Sequence, residues 1–143
     1  MTREKELLWP VEDFLRKQDY AVYHEVPLLS KRIDLIGVRS GFNDITAIEL
    51  KVSKWKKALE QAITDRLCAN RVYVALSSNY VHRVQKELFR EWGIGILEVD
   101  GKAIVHQEAK VNLSPQISLR NSIKSYILRN YNLGLSVYLD SVK

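Results

Sequence analysis

The sequence predicts an α/β protein with a mixed central sheet flanked by helices, and three observations predict it. Leu7, Val11, Phe14 and Leu15 recur at helical spacing in the first segment. Three strand-like runs follow in close succession, rich in Val, Ile, Leu and Tyr. A run from Arg71 to Leu76, apolar after its arginine, then stands between two helical patterns, as expected of a strand covered on both faces.

Each element has its own local reason. The first helix is expected over Thr2 to Gln18, with Pro10 either near its start or at a bend. Tyr20 to Leu29, Arg32 to Val38 and Ile45 to Val52 read as strands. The turn residues Ser40-Gly41-Phe42-Asn43-Asp44 link the last two tightly, which favours an antiparallel pair. Ser53 is a suitable N-cap for a second helix with Trp55, Leu59, Ala62, Ile63 and Leu67 on its apolar side. A third helix is expected from about Asn79 to Trp92, with Val81, Val84 and Leu88 inward and Gly93 ending it. Asp100-Gly101 marks a hairpin between Ile94 to Val99 and Ala103 to His106. The order is α-β-β-β-α-β-α-β-β over residues 1–108. Residues 109–143 form a C-terminal extension. In it, Leu119, Ile123, Tyr126 and Ile127 fit an amphipathic helix, and Leu133, Leu135, Val137 and Leu139 alternate as in a strand. That tail is compatible with packing on its own domain, swapping into a homodimer or gripping a ligand.

Composition narrows the function classes. The chain has 143 residues, 46% of them hydrophobic and 27% charged, which suits one globular domain. No apolar run approaches a membrane span, and the charged N-terminal stretch lacks the apolar centre of a signal peptide, so a cytoplasmic location is expected. Cys68 is the single cysteine, which excludes an internal disulfide. The net charge of +5 favours a polyanionic partner such as nucleic acid. His24, His82 and His106 lack metal-ligand spacing, no Gly-rich phosphate loop is present, and Ser77 and Ser78 lack a nucleophile elbow.

Chemistry concentrates in Ala47-Ile48-Glu49-Leu50-Lys51-Val52. Alternation along a strand turns Ile48, Leu50 and Val52 to one face and Glu49 and Lys51 to the other. An acid and an amine inside an apolar strand are costly unless used or paired. The preceding strand repeats the anomaly at Asp34, between Ile33 and Leu35. Pairing through the turn at Gly41 brings Asp34 towards Glu49. Two carboxylates with a lysine suit phosphodiester hydrolysis. Asp34 and Glu49 are expected to hold Mg2+ or Mn2+, with the Leu50 carbonyl available as a further oxygen, and Lys51 is expected to position water or stabilise developing charge. The plainer alternative is a Glu49–Lys51 ion pair on an exposed sheet face, with Asp34 in a bend.

These residues resemble the PD-(D/E)XK nuclease superfamily, which includes restriction endonucleases, archaeal Holliday junction resolvases, and repair and phage nucleases. Its core is αβββαβ, with Asp in the second strand and Glu-x-Lys in the third, matched here by Asp34 and Glu49-Leu50-Lys51. A glutamate on the first helix is matched by Glu12, and a glutamine on the helix after the motif by Gln61. The resemblance covers roughly residues 4 to 106. Ile33 stands where the superfamily's name has proline. The resemblance implies a restriction-endonuclease-like fold and a Mg2+- or Mn2+-dependent DNA endonuclease, with Asp34, Glu49, Lys51, Glu12 and Gln61 in the catalytic set. Helical spacing places Lys54, Ala58, Gln61 and Asp65 on one face of the second helix, opposite or beside the Leu59–Ile63 stripe. Lys54 and Lys56 are then candidates to grip nucleic acid. Glu25 is a further acid on the first strand, with two alternatives: reaching the site or facing solvent. The competing expectation is a catalytically silent nucleic-acid-binding module or subunit on the same fold.

Overall fold

The computed structural model describes residues 3–131, and the strand-like alternation at 133–139 lies outside them. The chain runs α1 (Glu4–Arg16), β1 (Ala21–Leu28), β2 (Lys31–Arg39), β3 (Asp44–Lys51), α2 (Trp55–Asp65), β4 (Arg71–Ser77), a 3-10 turn (Val81–Arg83), α3 (Lys86–Glu91), β5 (Gly95–Val99), β6 (Ala103–Gln107) and α4 (Ile117–Asn130). Six strands form one sheet in the order β1-β2-β3-β4-β5-β6. The β1–β2, β2–β3 and β5–β6 pairs are antiparallel, whereas β3–β4 and β4–β5 are parallel. The two parallel pairs are those whose connections carry a helix, because a parallel crossover needs a long return.

Two apolar layers sandwich the sheet. Leu7, Val11 and Leu15 of α1 cover Val22, Leu35, Ile48, Leu50, Tyr73 and Leu97 on one face. On the other face, Ala58, Leu59 and Ala62 of α2 lie with Phe89 of α3 and Ile123 and Ile127 of α4 over Ile36, Ala47, Val74 and Ile96. The amphipathic helix expected in the C-terminal extension therefore joins the common core. Among the described residues no helix is long and apolar enough to cross a membrane.

Helix α1 starts at Glu4, so Pro10 lies buried inside it and not at its start. Two local expectations need correction. Ser53 does not cap α2: the N-cap is Lys54, in a left-handed conformation with φ 58° and without a side-chain cap hydrogen bond. The single helix expected over residues 79–92 is divided, because Val84 is extended (φ −90°, ψ 154°) between the 3-10 turn and α3. Val81 and Val84 are both buried, with Phe89 rather than Leu88 as the fully buried anchor.

Close approach is most demanding at Gly95. A Cβ there would lie 2.5 Å from the Tyr73 ring and 2.7 Å from the Ala109 backbone nitrogen. The backbone cannot yield as a flexible side chain does, so Gly95→Ala is expected to destabilise the fold by about 1–3 kcal/mol in chemical denaturation. An unchanged midpoint would contradict this packing.

Candidate metal and nucleic-acid site

Asp34 owes its position to a break in strand alternation. Residues 24 and 35 pair across β1 and β2, as do 26 and 33, with residues 25 and 34 between the two pairs. Val22 and Leu35 belong to the α1 layer, yet Val26, Leu28 and Ile33 belong to the α2 layer. The ribbon thus turns over at Glu25 and Asp34. Glu25 has a φ of 53°, a left-handed conformation that costs a non-glycine residue on the order of 1 kcal/mol. The β2–β3 ladder ends at Leu35–Ile48, just before Asp34 would face Glu49. Freed from strand pairing there, the Leu50 N–H donates to Asp34 Oδ2 at 2.8 Å. Oδ1 makes no hydrogen bond among the described residues.

Asp34 borders a cleft of ≈ 310 Å³ shared with Glu4, Lys5 and Leu8 of α1, His24 and Glu25 of β1, and Leu50. Partial burial pushes its carboxyl up to about 6. The Leu50 hydrogen bond opposes that rise, the Glu49 charge adds to it, and Lys51 opposes it. Lys51 is half-buried at the end of β3 and makes no ion pair among the described residues. The exposed Glu49–Lys51 pair of the plainer alternative is not formed.

Glu49 instead lies almost wholly buried beneath α2, at 1% exposure. The Lys31 ammonium donates to Glu49 Oε2 at 2.7 Å and to Asp65 Oδ1 at 2.6 Å. Asp65, on the last turn of α2, is completely buried. Its Oδ2 has no nitrogen or hydroxyl donor, and neither does the buried Oε1 of Gln61, one turn earlier. Burial first, and then the hydrogen bond and charge of Asp65, push the Glu49 carboxyl up to about 8. Burial and mutual contact thus shift the Glu49–Asp65 pair towards holding a proton between its two carboxyls. Burial also raises Asp65, opposed by the Glu49 hydrogen bond and by Lys31. For Lys31, burial lowers the ammonium, but the two acids outweigh it and the net shift is upward.

The remaining candidates are spread around this centre. Glu12 does not border the cleft; its Oε1 lies 2.7 Å from His24 Nε2 and 3.4 Å from Arg16 Nη2. Glu25 is the acid that β1 brings to Asp34. Lys54 and Lys56 are exposed at the start of α2, and the Lys56 ammonium lies 5.7 Å from the centre of the Trp55 ring. The face carrying Ala58, Gln61 and Asp65 is turned into the protein, since Ala58 and Asp65 are both fully buried. Sequence reasoning placed Asp65 on that face but gave it no role, and it passed over Lys31. An acid on the inward face of an amphipathic helix is the signal for the first. Lys31, beside Ser30 and Arg32 at the start of β2, carries no such signal.

The chemistry of the groups gathered here is that of oxygen donors. The available groups are carboxylate and amide oxygens, which suit Mg2+ or Mn2+, and such ions keep several waters and need only one or two carboxylates. Among the described residues no group of three His, Cys, Asp or Glu side chains forms a ready-made metal cage. Loading an ion on Glu49 therefore requires release of its proton.

The held protons give stability a definite pH dependence. The folded carboxyls near 6 and 8 retain protons that the unfolded chain releases near 3.8 and 4.5. The folded state binds more protons across that interval, so its stability falls as pH rises through it. In metal-free buffer the melting temperature is expected to drop between about pH 5 and pH 8.5. Glu49→Gln, which retains an N–H donor and does not titrate, should flatten the upper part of the curve. A melting temperature that climbs over the same range would contradict the assignment.

No protein-family model and no curated protein matches the sequence. The structure is similar to a solved structure of a Silicibacter pomeroyi protein of unknown function, with a TM-score of 0.64 and 19% identity over 94% of this chain and 97% of that chain. At that identity the likeness shows a shared fold.

Proposed function

We propose that the protein is a metal-dependent nuclease of the restriction-endonuclease-like, PD-(D/E)XK type, acting on DNA. The observation that carries this reading is the end of the β2–β3 ladder, where Asp34 reaches the Leu50 N–H and feels both Glu49 and Lys51. The strand order, with α1 and α2 on opposite faces, supports it. So do the exposed lysines at the uncapped start of α2, where helix N–H groups favour phosphate.

Asp34, Glu49 and the Leu50 carbonyl would hold the Mg2+ or Mn2+ ion. When bound, the ion would lower the pKa of water and neutralise phosphate charge. Glu49 would give up its proton on loading, and Asp34 would be ionised above about pH 6. Lys51 would orient the attacking water or stabilise charge on the reacting phosphate. Lys54 and Lys56 would hold the DNA backbone, and Gln61 would sit behind the site on α2. Glu12 would act indirectly, by holding His24 at the cleft wall.

A silent DNA-binding module is the second reading, and the Lys31-locked, protonated Glu49 is what favours it. Mn2+ titration without DNA separates the two. The nuclease reading predicts saturable binding that Asp34→Asn weakens at least tenfold. Identical weak binding by wild type and variant would support the silent module.

A further inference from the structure

We propose that the Lys31 ammonium is the resident cation of the inner half of this site, occupying the position a second divalent ion would take, so that the centre loads one ion per chain. This rests on the reading of Asp34 and Glu49 as metal ligands.

The geometry is that of a cation between two acids. Lys31 Nζ lies 2.7 Å from Glu49 Oε2 and 2.6 Å from Asp65 Oδ1, and its side chain is only 17% exposed. Neither acid has another positively charged group within ion-pair distance among the described residues. The surrounding atoms that receive no nitrogen or hydroxyl donor are oxygens: Asp65 Oδ2, on a fully buried residue whose nearest acid is Glu49, and Gln61 Oε1, one turn away on the same helix. An oxygen-only lining around a buried carboxylate demands positive charge, because an uncompensated buried ion is strongly unfavourable. Lys31 supplies that charge from within the chain. It is the first residue of β2, so the short β1–β2 turn fixes the start of its side chain opposite α2.

Two consequences follow for metal stoichiometry. In the wild type, Glu49 contributes to one ion on the Asp34 side while Lys31 holds its other side. Without the ammonium, Glu49, Asp65 and Gln61 offer an oxygen set suited to a second Mg2+ or Mn2+ ion.

The test counts Mn2+ per chain by calorimetry and electron paramagnetic resonance near pH 8, with Mn2+ in saturating excess so that the ion displaces the proton held by the acid pair. One ion is expected in wild type and two in Lys31→Ala. Magnetic coupling between the paired ions should appear in the variant and vanish in Lys31→Ala/Asp65→Asn. Mn2+ should also raise the melting temperature of Lys31→Ala more than that of wild type, since an added ligand of the folded state is stabilising. If Lys31→Ala does not fold without metal, Lys31→Gln replaces it and the melting response decides. One ion in both proteins with equal melting responses, or two ions in wild type, overturns the inference and leaves the nuclease reading standing. Wild type that binds no Mn2+ overturns both.

Discussion

Lys51→Ala is expected to reduce DNA cleavage by about 10³-fold or more while leaving the fold intact, because a group that stabilises developing charge or manages a proton contributes on the order of 10²–10⁴. The size follows from position. Lys51 ends β3 next to the buried Glu49 and lowers the Asp34 carboxyl through its charge. It makes no ion pair among the described residues, so removing it strands no buried partner. Melting and circular dichroism should therefore match wild type, with a stability change within about 0.5 kcal/mol. A variant that cuts at the wild-type rate would remove Lys51 from the chemistry. A variant that unfolds would show that the lysine serves the structure instead.

Asp65→Ala is expected to have the opposite profile, a loss of about 3–5 kcal/mol in chemical denaturation, because it leaves one member of a buried ion network without its partner. Asp65 is fully buried and 2.6 Å from Lys31. Its removal also takes away the acceptor for the Glu49 proton. The more exposed Glu12–Arg16 pair makes a useful contrast: its contribution should be at most about 1 kcal/mol, since solvent screens such pairs. If Asp65→Ala costs no more than a mutation at that helix surface, the Lys31–Glu49–Asp65 network does not hold α2 to the sheet.

Much of the frame was legible because it is encoded locally. The Leu7–Val11–Leu15 spacing, the Asp100-Gly101 turn and the apolar β4 each carry their own structural instruction. The acid–lysine anomaly in β3 was legible for the same reason: Glu49 and Lys51 violate an otherwise apolar strand. What could not be read depends on distant partners. The left-handed Glu25 that turns the β1–β2 ribbon over has no glycine to announce it. Nothing near Lys31 in the sequence distinguishes it from a solvated turn lysine, and its role appears only when α2 brings Asp65 across the sheet. The interruption at Val84 carries no glycine or proline to announce it. Glu12 enters only through the family resemblance, and in the folded chain its carboxylate meets His24 and Arg16.

The central claim is tested most directly by incubating the wild-type protein with supercoiled plasmid and with a four-way DNA junction in Mg2+ or Mn2+. EDTA and Asp34→Asn serve as controls. The account predicts cutting of at least one substrate that requires the divalent ion and is lost in the variant. Cutting that persists in EDTA or in Asp34→Asn would contradict it, as would intact DNA in the presence of folded protein that binds both DNA and Mn2+.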